Sequence, residues 1–242
     1  MGVMKHDIRF GGIVASEKDV IIYGGNVDEV AERDVEAVEI PGRNGVLHLD
    51  NGRWRERTQT YLAYVKGENY PARIAYVRRV FGRMGKTYAR LDDTFNPDVY
   101  SMATFVDALV PESLAFRTQG LVTLTFQCRP ERYLRTGDQT ITTTSSVTLV
   151  NPTGLPARPL IRVYVSGGGT VTVGNKTMTI SSSLPTAYVD IDADTQDCTS
   201  GATNCNNYVT LVEFPTFGAG STGVSLGGGA TSAVITPRWW TL

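Results

Sequence analysis

Several short patterns in the chain carry residue types that catalysis or ligand binding uses. Gly223-Val224-Ser225-Leu226-Gly227 has the spacing of a nucleophile elbow. That device needs a strand before it, a helix after it and a histidine later in the chain to take the serine proton. The only histidines are His6 and His48, both far upstream, so the pattern reads as a glycine-rich turn. Gly82-Arg83-Met84-Gly85-Lys86-Thr87 and the run from Gly169 through Gly174-Asn175-Lys176-Thr177 approach a phosphate-binding loop. The first has two residues between its glycines where the motif has four, and it falls at a helix C-terminus. The second has Asn175 ahead of the lysine and a strand pattern behind it. Neither can wrap backbone N–H groups around a phosphate.

Asp190, Asp192 and Asp194 open like a calcium loop, but the sixth position is Thr195 instead of Gly and the twelfth is Gly201 instead of Glu. They read as the wet face of a strand, with Ile191 and Ala193 turned inward. Two distant histidines, and cysteines at no metal spacing, do not make a zinc site. No catalytic set, metal or cofactor is expected. Cys128, Cys198 and Cys205 are an odd number in a chain too long to need a disulfide framework. Cys198 and Cys205 share one Gly/Thr/Asn-rich loop, where they either pair late, if the product ends up outside a cell, or stay as thiols.

Arg53, Arg55 and Arg57 alternate with Trp54 and Glu56, so in a strand their guanidinium groups would point one way. Such a row is a candidate for meeting carboxylates of a neighbouring subunit or lining a wet lumen, and otherwise is a solvated face. Trp239 and Trp240 are a candidate aromatic platform for sugar. Neighbours in a strand point oppositely, however, which sends at least one of them into the core.

The elements around these residues are mostly strands. Val122, Leu124, Phe126 and Cys128 alternate with Leu121, Thr123, Thr125 and Gln127, as a half-buried strand requires. One segment differs: from Pro71 to Met84, Ile74, Val77, Phe81 and Met84 recur at helical spacing, with Asn69 and Pro71 at the start and Arg83, Gly85 and Lys86 at the end. It predicts a single amphipathic helix on a sheet. Tyr88–Leu91 and Tyr100–Val106 read as strands flanking a turn-rich stretch. Further on, runs at 140–149, 159–165, 170–173, 177–180, 187–191, 208–212 and 233–237 are short, rich in Thr, Val and Ile, and bounded by turn residues. They read as a β-sandwich.

Composition divides the chain. The first 137 of 242 residues hold 37 charged and 12 Ser or Thr residues; the remaining 105 hold 10 and 30. That change of material predicts two domains, 1–137 and 138–242. The formal charge of −1 argues against a nucleic-acid or membrane-surface binder, which needs surplus basic charge. The start is not a signal peptide and no window approaches a bilayer span, so synthesis as a soluble cytoplasmic chain is expected.

Against this background the chain resembles the distal tail (Dit-type) proteins of long-tailed, non-contractile bacteriophages. The resemblance rests on Glu32-Arg33-Asp34-Val35-Glu36, Ile40-Pro41-Gly42-Arg43-Asn44-Gly45, Leu49-Asp50-Asn51-Gly52-Arg53-Trp54, Arg90-Leu91-Asp92-Asp93 with Pro97-Asp98-Val99-Tyr100, and Leu124 through Leu134. It continues through Asn151-Pro152-Thr153-Gly154, Ala157-Arg158-Pro159, Ile191-Asp192, Asn206-Asn207, Glu213-Phe214-Pro215 and Ile235 through Trp240.

The resemblance implies a mainly β fold: a tail-tube-like N-terminal domain with one packed helix, then a galectin-like β-sandwich. It implies a structural virion protein, not an enzyme. Six copies would form a ring at the tail tip, joining the tail tube to a tail-associated lysin or fibre, with the tape measure and DNA passing through the lumen. The second part has no room for the inserted carbohydrate-binding module of longer relatives. The alternative is an adhesion module that binds host carbohydrate.

Overall fold

The computed structural model describes residues 6–66, 69–82, 87–106 and 120–242. Tertiary contacts gather the chain into two units, Met1–Arg132 with Leu242, and Tyr133–Thr241. Among the described residues the fold is mainly β with one α-helix, and no helix is long and apolar enough to cross a membrane.

In the first unit β1 (Ile8–Phe10), β2 (Ile13–Val14), β3 (Val20–Asn26), β4 (Arg33–Glu39), β5 (Val46–Trp54) and β6 (Arg57–Val65) precede helix α1 (Tyr70–Gly82). After it come β7 (Ala89–Asp93), β8 (Val99–Phe105) and the long β9 (Leu121–Leu134). They build a sheet in the order β2-β1-β7-β8-β9-β6-β3, while β4 and β5 pair only with each other. The alternation along β9 has its expected effect: Val122, Leu124, Phe126 and Cys128 are buried. Helix α1 covers that face with Ile74, Val77 and Phe81. Phe10 and Phe105 meet Phe126 edge-on, with ring centroids 5.0 and 5.2 Å apart. Phe81 of α1 joins them, its ring centroid 5.8 Å from that of Phe105 and 6.5 Å from that of Phe126. Burying each such aromatic contributes about 1.5–3 kcal/mol, so this cluster fixes the helix on the sheet. Met84 and the stop expected at Gly85, with Arg83 and Lys86, lie outside the described residues.

The second unit is a sandwich of two antiparallel sheets. Its strands are β10 (Ile141–Thr143), β11 (Ser146–Asn151), β12 (Leu160–Val165), β13 (Gly169–Val173), β14 (Lys176–Ile180) and β15 (Tyr188–Asp192). These are followed by β16 (Asp197–Ser200), β17 (Thr203–Asn204), β18 (Val209–Thr210), β19 (Gly220–Gly227) and β20 (Ala230–Thr236). The short β21 (Trp240–Thr241) instead pairs with β9, whose last residues Tyr133 and Leu134 belong to this unit. One sheet runs β10-β20-β12-β15-β16-β17 and the other β11-β19-β13-β14-β18. Ile161, Val163, Val189, Ile191, Ala233 and Ile235 of the first face Val171, Val173, Met178, Ile180 and Val224 of the second in one core. The period of two set by the sequence places these residues inward, leaving Thr and Ser outward. The segment expected as one strand over 140–149 is two strands, because Thr143 and Ser146 pair with different sheets.

Candidate assembly surface

The β4–β5 ribbon contributes no residue to the hydrophobic core of the first unit. Val46, Leu47 and Leu49 of β5, and Ile40 in the turn, are exposed. Val38 lies opposite Leu47, so on the face that Leu47 and Leu49 share the ribbon offers apolar side chains to solvent. Among the described residues neither outer edge of the ribbon pairs with another strand. An exposed two-stranded ribbon with free edges is a surface suited to pairing with another chain.

Ionic contacts hold its root. Arg33 opposes Trp54 and Val35 opposes Asp50, so Asp34 alone faces three residues, Asn51 to Arg53. Gly52 makes the local turn at φ 71° and donates its N–H to Asp50 Oδ1 at 2.8 Å. This irregularity swings Arg53 round to Asp34: its Nε donates to Oδ2 at 2.6 Å, and Arg55 Nε donates to Oδ1 at 3.0 Å. The Asp34 side chain is only 8% exposed, whereas that of Arg53 is 76% exposed. Arg33 Nε sits 3.0 and 2.9 Å from the two Asp50 oxygens, and its guanidinium lies 5.0 Å from the Trp54 ring centre. Arg53, then Arg55, hold the Asp34 carboxyl below its ordinary range; Arg33, then the Gly52 N–H, do the same for Asp50. The segments 32–36 and 49–54, which the resemblance picked out separately, are thus the two sides of one ionic clamp.

The expected row of three arginines does not form. The chain leaves the ribbon after Trp54, and β6 begins at Arg57 in the main sheet, so the alternation is interrupted where it was needed. Arg57 is 1% exposed. Its Nη1 donates to Gln59 Oε1 at 3.2 Å and its Nη2 donates to Ser101 Oγ. Gln59 Nε2 and the Tyr61 hydroxyl both donate to Asp93 Oδ2, at 3.0 and 2.9 Å, and Asp93 Oδ1 accepts the Asn96 N–H at 2.7 Å. The Cys128 thiol donates to Gln59 Oε1 at 3.4 Å. A polar chain therefore crosses β6, β7, β8 and β9 inside the core. Burial lowers the Arg57 pKa, raises that of Tyr61 with help from Asp93, and pushes Cys128 up to about 11. Such a network joins the strands, with Arg57 and Gln59 buried and Asp93 half-buried at its outer end.

The other sequence candidates are also accounted for by local structure. Ser225 lies within β19, and β20 follows it across Gly228. Gly174-Asn175 is the two-residue turn between β13 and β14, where Val173 opposes Lys176. Each acid of the Asp190 series faces an arginine: Arg162 on Asp190 at 2.7 Å, Arg238 on Asp192 at 2.6 Å and Arg158 near Asp194 at 3.9 Å. Burial alone would raise the Asp192 carboxyl, but the two bonds from Arg238 hold it below its ordinary value. Trp239 is buried, 5.4 Å from Phe217, and Trp240 Nε1 donates to the Pro156 carbonyl at 2.9 Å. These two side chains form no common platform. Cys198 and Cys205 are buried free thiols.

No family model and no curated protein matches the sequence. Among solved structures the chain is similar to the SPP1 Dit protein, a hub of the adsorption apparatus in phages infecting Gram-positive bacteria, with TM-score 0.70 and 14% identity over 95% of this chain and 97% of that one. It is also similar to a chain of the phage P2 baseplate in its activated conformation with Ca, with TM-score 0.55 and 9% identity over 97% of each chain. The corresponding structure with Sr gives TM-score 0.51 and 10% identity, over 97% of this chain and 98% of that one. The fold is Dit-like over 95% of the chain.

Proposed function

We propose that this protein is a structural hub at the distal end of a phage tail, with six copies closing into a ring. The observation that carries this reading is the likeness to SPP1 Dit along both units, because shared architecture over a whole two-unit chain is more restrictive than one common sandwich. In this reading residues 1–137 form the ring and residues 138–242 are the galectin-like outer module. The ring joins the tail tube to a lysin or fibre, and its lumen passes the tape measure and DNA.

A closed ring needs a heterologous contact, one patch of each copy against a different patch of the next. The β4–β5 ribbon supports such a contact, with its exposed Leu47 and Leu49 and free strand edges held in place by Asp34. Stable contacts bury about 1,200–2,000 Å² in total, an area within reach of a ribbon laid along a neighbouring subunit.

Negative-stain imaging and native mass spectrometry of purified protein over rising concentration test this. Six-membered rings are the expected result. A monomer at every concentration, together with absence from purified virions, would overturn it.

A further inference from the structure

β16 and β17 form the edge hairpin of the six-stranded sheet, with Thr199 opposite Asn204 and Ser200 opposite Thr203. One step further along this register, Cys198 stands opposite Cys205, and the Cys205 N–H donates to the Cys198 carbonyl at 2.7 Å. Opposite residues of an antiparallel pair share a face. Here both turn inward, at 1% and 0% exposure, in the core of the second unit.

Hydrogen-bonded opposite residues have Cα atoms about 5.5 Å apart, inside the roughly 4.4–6.8 Å that a disulfide spans. Cross-strand Cβ atoms are about 4.5–5.5 Å apart, slightly more than the roughly 3.5–4.5 Å of a disulfide, so bonding must draw the strands together. The hairpin has room to yield. Its second ladder bond is absent, since the Cys198 N–H donates to Asn206 Oδ1 at 2.7 Å and the Cys205 carbonyl accepts from the Tyr208 N–H at 2.9 Å. β17 has two residues and is the last strand of its sheet.

We infer that Cys198 and Cys205 are a redox modification site: a low-molecular-weight disulfide such as oxidised glutathione converts them to an intramolecular disulfide that staples this edge hairpin. One cysteine thiolate attacks a sulfur of oxidised glutathione, giving a protein–glutathione mixed disulfide and releasing one glutathione thiolate. The second cysteine thiolate attacks the protein-side sulfur and releases the other glutathione. The protein loses two protons and two electrons, and the oxidant is reduced to two thiols. Burial holds the Cys198 thiol up to about 11, so exchange proceeds when the edge opens locally and is slow while it is closed. A bond that pulls two strands together is strained and correspondingly easy to reduce. Cys128, in the first unit and opposite Arg57, is a buried thiol with no cysteine across from it and serves as the internal control. This inference is independent of the tail-hub reading.

The test uses the full-length chain incubated with oxidised glutathione, then denatured, alkylated and mapped by peptide mass spectrometry. The expected result is a mass lower by about 2 Da, the two lost hydrogens, a mapped link between Cys198 and Cys205, and alkylation confined to Cys128. Amide-exchange protection across 199–204 should rise about tenfold or more and fall again with dithiothreitol. Alkylation of all three cysteines, or a glutathione adduct that persists on Cys198 or Cys205, would overturn the assignment. Mapping on the unaltered chain needs no variant; Cys205→Ala, if it folds, should abolish the protection change.

Discussion

The Arg53 guanidinium holds the Asp34 carboxylate at 2.6 Å across the root of the β4–β5 ribbon, although Arg53 itself is largely exposed. Asp34 also receives Arg55, so one carboxylate orders two cations. Asp34→Ala should leave both cores folded, with unchanged far-ultraviolet circular dichroism, while loosening the ribbon. If the ribbon is the ring contact, the concentration for half assembly should rise about tenfold or more, read by native mass spectrometry. Unchanged assembly would remove the ribbon from the interface.

Arg57 should behave differently from its two neighbours in sequence. Arg57→Ala empties a large buried site and strands Gln59 and Ser101, which predicts a loss of about 2–4 kcal/mol in denaturant unfolding of the first unit. Arg53→Ser with Arg55→Ser should change unfolding little and assembly strongly. Equal effects on stability from both variants would contradict the separation of Arg57 from the ribbon.

Acidification gives a third outcome. The Asp34, Asp50 and Asp192 carboxyls are held below their ordinary range by arginines, so the unfolded chain binds protons more readily than the folded one. Their contribution is full above the unfolded carboxylate value of about 3.9 and is lost as pH falls through the lower folded values. Stability and assembly should therefore be flat with respect to these groups from pH 8 to 5 and decline below about pH 4. Light scattering and thermal unfolding across that range check it. Asp34→Ala should flatten the assembly limb of the curve.

Gly137 is fixed by its neighbours. A Cβ at this position would run into the backbone of Arg238 and Trp239, and the Gly137 carbonyl accepts the Arg238 N–H at 2.9 Å. Arg238, at φ 58°, is held in turn by its two bonds to Asp192. Gly137→Ala should lower the stability of the second unit by about 1–3 kcal/mol. Gly154→Ala, where a Cβ meets open space, should change it by no more than about 0.5 kcal/mol.

Local periodicity made much of the fold legible. Ile74, Val77 and Phe81 marked the helix face, and the alternation through β9 marked the sheet that it covers. The motif Asn151-Pro152-Thr153-Gly154 was visible before its reason was: Asn151 Nδ2 donates to the Leu155 and Phe217 carbonyls at 2.8 and 3.2 Å, fastening a loop onto the core. β19 was hidden because glycines fill Gly218–Gly229, and only Val224 of that strand is fully buried. Arg57 was misplaced because residue spacing cannot show that a chain leaves one sheet for another between positions 54 and 57. Asp34 was missed because its partners lie 19 and 21 residues away, brought back by a turn and an irregular register.

A ribbon of two strands is marginal in water by itself, and this one keeps its leucines in the solvent. Newly made copies therefore carry a sticky template whose correct use and misuse draw on the same chemistry. If the ribbon is the contact of the proposed ring, copies made faster than rings can close should come out of solution as open-ended aggregates. The yield of dispersed protein then reflects how promptly copies meet, more than how well each one folds.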